Sequence, residues 1–293
     1  MSLTETYREA DAPAAMRTPA ERAAYLMVRL PATYAAGRAA LAEAELRVEE
    51  LQPSSLLDLG SGPGTALWAA AEVFPSLKDF TAVERDANLV RLGKALTEHR
   101  EMICNANWEI GDIRTWRTER KFDLVIASYS MGELGEADRN KLLNRAWESC
   151  RGVLVLIEPG TRKGFGVIAK ARDQLIALGA KLAAPCPHAL GCPMRAAGDW
   201  CHFSVRVERT SEHRRLKQGE LGYEDEKFSY VSASRLPVDQ AEARVVRHPM
   251  RYSGHTKLQL CTPDGLREKT VTRSEKELYR RAKRVEWGSG WEE

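Results

Sequence analysis

The sequence predicts an α/β fold: a parallel sheet with helices on both faces. Short apolar runs alternate with helical stretches from residue 55 to residue 178, and that βαβα order implies a parallel sheet. Two runs, Phe122–Ser128 and Gly152–Ile157, are apolar nearly throughout, as in strands covered on both faces. A glycine-rich turn, Gly60-Ser61-Gly62-Pro63-Gly64, stands between the first apolar run and the first following helix, where open α/β sheets receive ligands.

The elements follow in order. Ala-rich stretches at Pro19–Met27 and Ala32–Glu50 read as helix, punctuated by Pro31 and Gly37, because Ala, Leu, Glu and Arg are strong helix formers. Gln52-Pro53-Ser54 breaks that pattern. Strands are expected at Ser55–Leu59, Asp79–Glu84, Trp108–Ile110, Phe122–Ser128 and Gly152–Ile157, and helices at Thr65–Phe74, Ala87–His99, Arg139–Ser149 and Gly166–Leu178. From Ala183 the rhythm stops, and Pro and Cys occur together. Charged strands are expected at Phe228–Ser234 and Lys257–Cys261, and a charged helical tail from Thr272. This divides the chain into an N-terminal helical region (1–52), a core (53–265) with a cysteine-rich insertion at about 183–217, and a basic tail (266–293).

At 293 residues the chain is long enough to bury a substantial core. With 43% hydrophobic and 29% charged residues, general disorder is excluded. No run approaches the ~18 apolar residues of a membrane span, so no membrane partner is expected. Met1–Arg22 mixes Glu, Arg, Asp and Pro without an apolar stretch. It reads as neither a secretory signal nor a transit peptide, and the expected compartment is the cytoplasm. The net charge of +3 divides into −5 over residues 1–160 and +8 over residues 161–293. On charge alone the second half is a solvated basic face; with other signals it suggests an anionic partner such as nucleic acid.

The glycine turn has acidic company. Asp58 precedes it, Glu84 ends the next strand, and Asp112 follows the third. A carboxylate at the end of the second strand suits ribose hydroxyls, and an acid after the third suits an adenine amino group. No phosphate-binding lysine follows the glycines, and no third glycine stands where a dinucleotide site requires it. The set resembles the S-adenosylmethionine (SAM) site of Rossmann-like methyltransferases. The resemblance implies Asp58, Gly60, Ser61, Gly62, Gly64, Glu84, Asp112, Ile113 and Ser128 as cofactor-binding residues. The fourth strand runs into Ser128-Tyr129-Ser130-Met131, with Glu133 beyond. The Pro-Pro clamp of amino methyltransferases and the Pro-Cys nucleophile of cytosine-carbon methyltransferases are both missing there, so no catalytic residue is assigned.

Cys186-Pro187-His188, Cys192-Pro193 and Trp200-Cys201-His202 lie in one proline-rich segment, and Cys261 comes much later. Clustered thiols in a cytoplasmic chain point to a soft metal. No C-x₂₋₄-C pair favours zinc, and Cys-Pro recurs in cluster loops; the residues leave zinc and iron–sulfur open, with His188 and His202 as further candidates. Cys104 and Cys150 read as buried structural thiols.

Taken together, the glycine turn, Ala127–Leu134, Ile157-Glu158-Pro159-Gly160, the Cys-Pro-His…Cys-Pro segment, His213–Lys217, Asp225–Tyr230 and Leu260–Gly265 resemble the methyltransferase-like assembly factors of the mitochondrial small ribosomal subunit and their bacterial relatives. The likeness extends from Arg29–Tyr34 to Lys283–Gly288. It implies a Rossmann-like SAM-dependent methyltransferase fold with N-terminal helices and a cysteine-rich metal-cluster insertion. It also implies a four-iron four-sulfur cluster on Cys186, Cys192, Cys201 and Cys261, and binding to the small ribosomal subunit and its rRNA. Two functions are expected: an assembly factor that has lost methyl transfer, or an active rRNA methyltransferase. The protein is expected to be monomeric off the ribosome. Arg195, Arg206, Arg209, Arg214, Arg215 and Lys217 would meet phosphates, as would the tail cations around Arg280–Arg284, with Trp287 and Trp291 stacking on bases.

Overall fold

The computed structural model describes residues 19–209 and 221–293. The readings placed on Met1–Thr18, His213, Arg214, Arg215 and Lys217 lie outside the described residues. The elements are α1 (Pro19–Arg47), β1 (Ser55–Leu59), α2 (Thr65–Val73), β2 (Asp79–Glu84), α3 (Ala87–Thr97), β3 (Asn107–Ile110) and β4 (Phe122–Ser128). They continue with α4 (Glu136–Ser149), β5 (Cys150–Pro159), α5 (Arg162–Ala177), β6 (Lys181–Ala184), α6 (Pro193–Ala196), β7 (Phe203–Glu208) and β8 (Tyr223–Ser234). Last come β9 (Ala243–Val245), β10 (Met250–Arg251), β11 (His255–Thr262), β12 (Gly265–Thr272), α7 (Lys276–Ala282) and β13 (Gly290–Trp291).

The main sheet has the order β3-β2-β1-β4-β5-β8-β6, with β7 beside β6 on the far edge of β8. β1 to β5 are parallel; β8 runs antiparallel to β5 over Val153–Pro159. Strand alternation builds two cores. Leu56 of β1, Leu124 and Ile126 of β4, and Val153, Val155 and Ile157 of β5 face one side with α1 and α2. Leu57 and Leu59, Val125 and Ala127, and Leu154 and Leu156 face the other with α4 and α5. Successive side chains point to opposite faces, so a continuous apolar run serves both layers. Each fully buried Leu or Val contributes roughly 1.5–3 kcal/mol relative to exposure.

α1 is one continuous helix through Pro31, where two stretches were expected. Proline removes one helical N–H. The Thr33 hydroxyl donates to the carbonyls of Arg29 (3.0 Å) and Leu30 (3.2 Å) next to the interruption. Ala32, Ala36, Ala40, Leu41 and Ala44 are buried along one face, and that packing outweighs the local defect.

Past β8 a second sheet forms, with order β10-β11-β9-β13 and β12 paired to β11. Val245, Leu258, Leu260, Val271, Tyr279, Ala282 and Trp291 make its core. The tail is thus partly strand, not helical throughout. β12 folds back on β11 as a hairpin closed at Pro263-Asp264, with a ladder from His255–Thr272 to Thr262–Gly265, a pairing that charge and helix propensity do not reveal. Among the described residues, no helix is long and apolar enough to cross a membrane.

Candidate functional site

The glycine turn sits at the C-terminal edge of the sheet, where strand order reverses between β1 and β4. That switch point is the ligand crevice of open α/β sheets. Gly60 has φ 77°, and a Cβ there would stand 2.6 Å from the Ser130 Cβ. At Gly64, φ is 84° and a Cβ would stand 2.8 Å from the Trp108 ring. Both positions therefore require glycine for backbone and for space. The N–H groups of Gly60 and Ser61 donate to the Val83 carbonyl at 2.9 and 3.0 Å, fastening the turn to β2. Ser61 is buried.

Glu84 is buried at the end of β2. Its Oε2 accepts from the Gly62 N–H and its Oε1 from the Asp86 N–H, each at 2.9 Å. One carboxylate thus ties the turn to the entry of α3 and keeps further lone pairs for another donor. Asp58 is 1% exposed, and neither carboxyl oxygen has a hydrogen-bond partner. Burial, with a smaller contribution from the nearby Glu84 charge, raises its pKa to about 8. A buried unpaired carboxyl costs free energy, and a donor or cation entering the crevice would relieve it.

Asp112 is engaged by a neighbour in the chain. Its carboxylate accepts from Arg114 Nε (2.9 and 3.0 Å) and Nη2 (2.5 Å), and these bonds hold its pKa below the usual range. Ile113 is half-buried, with its Cδ1 3.7 Å from where a Gly60 Cβ would lie. Ser128 ends β4 two residues past Ile126, which is level with Asp58. The structure therefore gathers Asp58, the glycine turn, Glu84, Ile113 and Ser128 at one edge, with Asp112 engaged by its own arginine.

A Tyr129–Glu226–Arg29 cluster stands past the end of β4. Tyr129 has φ 56°, an uncommon conformation for a bulky residue. Its hydroxyl donates to Glu226 Oε1 at 3.2 Å. Arg29 of α1 lies 5.6 Å from the Tyr129 ring centre and 3.5 Å from Glu226. Burial, then the Glu226 charge, raises the Tyr129 phenol well above its ordinary value. Glu158, at the end of β5, accepts from the Gly132 N–H at 3.0 Å; burial raises it to about 7. Neither Glu158 nor Glu226 was assigned a site role from sequence. An acid ending an apolar strand is a usable signal for Glu158, but Glu226 lies in a charged run that gives none.

The second feature is a cavity. Cys186, Cys192, Cys201 and Cys261 all line it, together with Arg172 and Arg244. They arrive from the end of β6, the start of α6, the entry to β7, and β11. Arg172 Nε donates to Cys186 Sγ at 3.3 Å, and its Nη2 donates to the carbonyls of His188 (2.9 Å) and Leu190 (2.6 Å). Cys261 Sγ lies 3.8 Å from His188 Nε2. Burial, then the neighbouring thiols, raises Cys201 well above its ordinary value and Cys261 to about 12. Among the described residues, no group of three or more His, Cys, Asp or Glu side chains stands in metal-holding geometry. The four thiols thus share a cavity without closing to ligand distance. Cys150 is buried as expected, while Cys104 is exposed, contrary to expectation; it lies in the turn between α3 and β3, where its neighbour Ile103 takes the core position instead.

The expected stacking tryptophans are otherwise engaged. Trp291 is 1% exposed in the core of the second sheet, and Trp287 is held edge-on between His202 and His248 at 4.8 and 4.7 Å. Large apolar rings gain more by completing a core than by standing in water. Arg206 and Arg209 pair with Asp225 and Glu224, and Arg195 pairs with Asp173.

The reversed last strands on a doubly wound sheet, with the glycine turn at the switch point, define a Rossmann-like α/β protein of the methyltransferase type. Residues 19–292 match the family described as mitochondrial small ribosomal subunit Rsm22, and the chain belongs to that family. It is 30% identical over 284 residues to the human protein named ribosome assembly protein METTL17, mitochondrial, covering 90% of this chain and 61% of the human one. The chain therefore spans about three-fifths of that relative's length. To the Saccharomyces cerevisiae protein named ribosome assembly protein RSM22, mitochondrial, it is 21% identical over 440 residues, covering 98% and 70%. Among solved structures, magnesium protoporphyrin IX methyltransferase from Synechocystis is similar at 10% identity and TM-score 0.45, covering 79% and 90%. The curated relatives correct the cytoplasmic expectation: they are named mitochondrial and point to that organelle. An address segment is separate from the folded domain, so the domain's composition does not report its compartment.

Proposed function

We propose that this protein is a SAM-binding, iron–sulfur-containing factor that binds small-subunit rRNA during ribosome assembly and has lost methyl transfer. The observation that carries the reading is the gathering of four cysteines from four segments into one cavity on a methyltransferase-like core. Family membership and the names of the human and yeast relatives support the ribosomal part.

The crevice fits SAM. Gly60, Ser61, Gly62 and Gly64 offer a backbone that a ligand can approach closely, and Glu84 keeps capacity for ribose hydroxyls. Asp58, buried without a partner, suits the cationic end of the ligand. Asp112, Ile113 and Ser128 would border the adenine side, with Arg114 sharing the Asp112 carboxylate. The donor set of the cavity fits a thiolate-bound centre, and Cys186, Cys192, Cys201 and Cys261 would hold it. A four-iron four-sulfur cluster, or zinc as the alternative, would supply a cross-link between the cysteine loop and β11, so that its binding energy becomes folding energy.

Loss of transfer is favoured over an active rRNA methyltransferase by the Tyr129–Glu226–Arg29 cluster. It fills the end of β4, where an acceptor base would have to approach the methyl group.

The test uses protein purified without oxygen. Iron, sulfide and zinc are measured on one sample, and SAM binding by calorimetry on another. A third is mixed with small subunits from a strain lacking the gene, together with methyl-labelled SAM. The expected result is iron with sulfide, SAM binding, co-sedimentation and no label in RNA. Labelled RNA would make the protein an enzyme, stoichiometric zinc without sulfide would replace the cluster, and absence from the subunit fraction would overturn the ribosomal reading.

A further inference from the structure

At its β10 end the second sheet has one covered face; further along β11 the other face is closed too, by Cys261 in the cysteine cavity. Thr256, Leu258 and Leu260 of β11 are buried against the core that contains Tyr279 and Ala282 of α7. By alternation along the strand, His255, Lys257 and Gln259 lie on the opposite face, as do Met250 and Tyr252 beyond the turn. Gln259 is exposed, and Met250 and Tyr252 are 39% and 50% exposed. At the tip of this face the Tyr252 and His255 rings stack, 4.6 Å apart and 15° from parallel.

The tip is held rigidly. The Tyr252 N–H donates to the His255 carbonyl at 2.9 Å across the two-residue turn Ser253-Gly254. From behind, Arg251 Nε donates to the Lys283 carbonyl (3.1 Å) and its Nη2 to the Val285 carbonyl (2.6 Å). The Arg273 N–H donates to the Gly254 carbonyl (2.9 Å), and the Tyr279 hydroxyl to the Ser253 carbonyl (3.4 Å). A ring pair fixed in this way has little freedom left to lose on binding. The segment that fixes it is cationic: residues 273–284 contain Arg273, Lys276, Arg280, Arg281, Lys283 and Arg284 against Glu275 and Glu277. Arg273, Lys283 and Arg284 are exposed.

We propose that the stacked Tyr252–His255 pair is a platform for an unpaired RNA base, with Arg273 at the same turn meeting a flanking phosphate. The inference rests on the RNA-binding reading above and deepens it by naming the contact. A flat ring with an open face stacks on any base. Arg273, exposed and donating to the Ser253 carbonyl at 3.4 Å, stands at the same turn, and a cation there complements a phosphate backbone. The hairpin also replaces Trp287 and Trp291, whose rings are engaged in the fold, as the aromatic element of the RNA face.

The full chain is tested for binding to small-subunit rRNA over a range of salt concentrations, as wild type, Tyr252→Ala, Tyr252→Phe and Arg273→Gln. Tyr252→Ala is expected to weaken binding roughly tenfold with an unchanged salt slope, and Tyr252→Phe to stay near wild type. Arg273→Gln is expected to reduce the salt slope by about one. Because Tyr252 is half exposed, its replacements should leave the melting temperature in place. A photocrosslinker at position 252 should mark an unpaired nucleotide. Wild-type binding with Tyr252→Ala binding equally well overturns the platform and leaves the RNA reading standing. Failure of the wild type to bind rRNA overturns both. A Tyr252→Ala defect seen on protein-containing subunits but not on naked rRNA assigns the hairpin to a ribosomal protein and overturns the RNA platform.

Discussion

Asp58 is buried without a hydrogen-bond partner, and the cost has a sign that experiment can read. Its pKa is raised from 3.8 to about 8 by burial and by Glu84. Between those values the folded protein keeps a proton that the unfolded chain has released, so stability falls as pH rises through that window. Asp58→Asn should flatten the fall. Urea midpoints of the ligand-free protein at several pH values measure it, and an unchanged slope in the variant would assign the effect elsewhere. Arg172 acts on the other site. Its side chain is 4% exposed and satisfies one thiol and two carbonyls of the cysteine loop. Arg172→Leu should cost about 1–3 kcal/mol through the groups it leaves unpaired and should speed cleavage of the 186–192 loop by protease. A loop with unchanged protease sensitivity would count against that anchoring role.

Between neighbouring strands the clearest joint is Asp123 of β4. Its Oδ2 accepts from the Ser54 N–H and hydroxyl at 2.9 and 2.7 Å, and from the Ser55 N–H and hydroxyl at 3.1 and 3.0 Å. Arg151 of β5 adds a further pair. These bonds join the start of β1 to β4 and β5, and they hold the carboxyl below its usual range despite partial burial. A depressed carboxylate contributes stability above its unfolded pKa and loses it as pH falls. Asp123→Asn should therefore lower stability at neutral pH by about 1–3 kcal/mol and make the acid limb of the unfolding profile shallower, both visible by circular dichroism. The elements these bonds join were largely legible. The five parallel strands were placed within a few residues, because an apolar run bounded by turn residues is a local signal. Among the strands not expected, β10 is two residues long, β12 is charged, and β9 is three residues that pair with β11 and β13 further along the chain.

Across the whole molecule, Arg244 connects what the chain order separates. It is 1% exposed in β9. It donates to Glu43 of α1 (2.5 Å), to the Pro185 carbonyl beside the cysteine loop (2.7 Å) and to the Gly288 carbonyl near the C-terminus (2.6 Å). Arg244→Met should cost about 3–5 kcal/mol, since it strands a carboxylate and two carbonyls. Arg244→Lys should rescue little, because one ammonium lacks the planar fork that reaches all three partners. Thermal unfolding of the purified variants checks the ranking; a Lys variant as stable as wild type would show that the fork geometry is unimportant.

The amino-acid order was enough to specify the alternating layers, the glycine turn with its acidic neighbours, and the identity of the clustered thiols. The layers and the turn rest on local pattern, over which backbone propensity and side-chain period act; the acids follow from the ends of successive strands, and the set of four thiols from the family resemblance. Folding made the choices that depend on distance along the chain. It brought Cys261 beside His188, 73 positions away, and Tyr129 against Glu226, 97 positions away. It buried Trp291 and left Tyr252 in the open. Which aromatic ring completes a core and which faces solvent depends on the packing of remote segments, and no local pattern of residues carries that information.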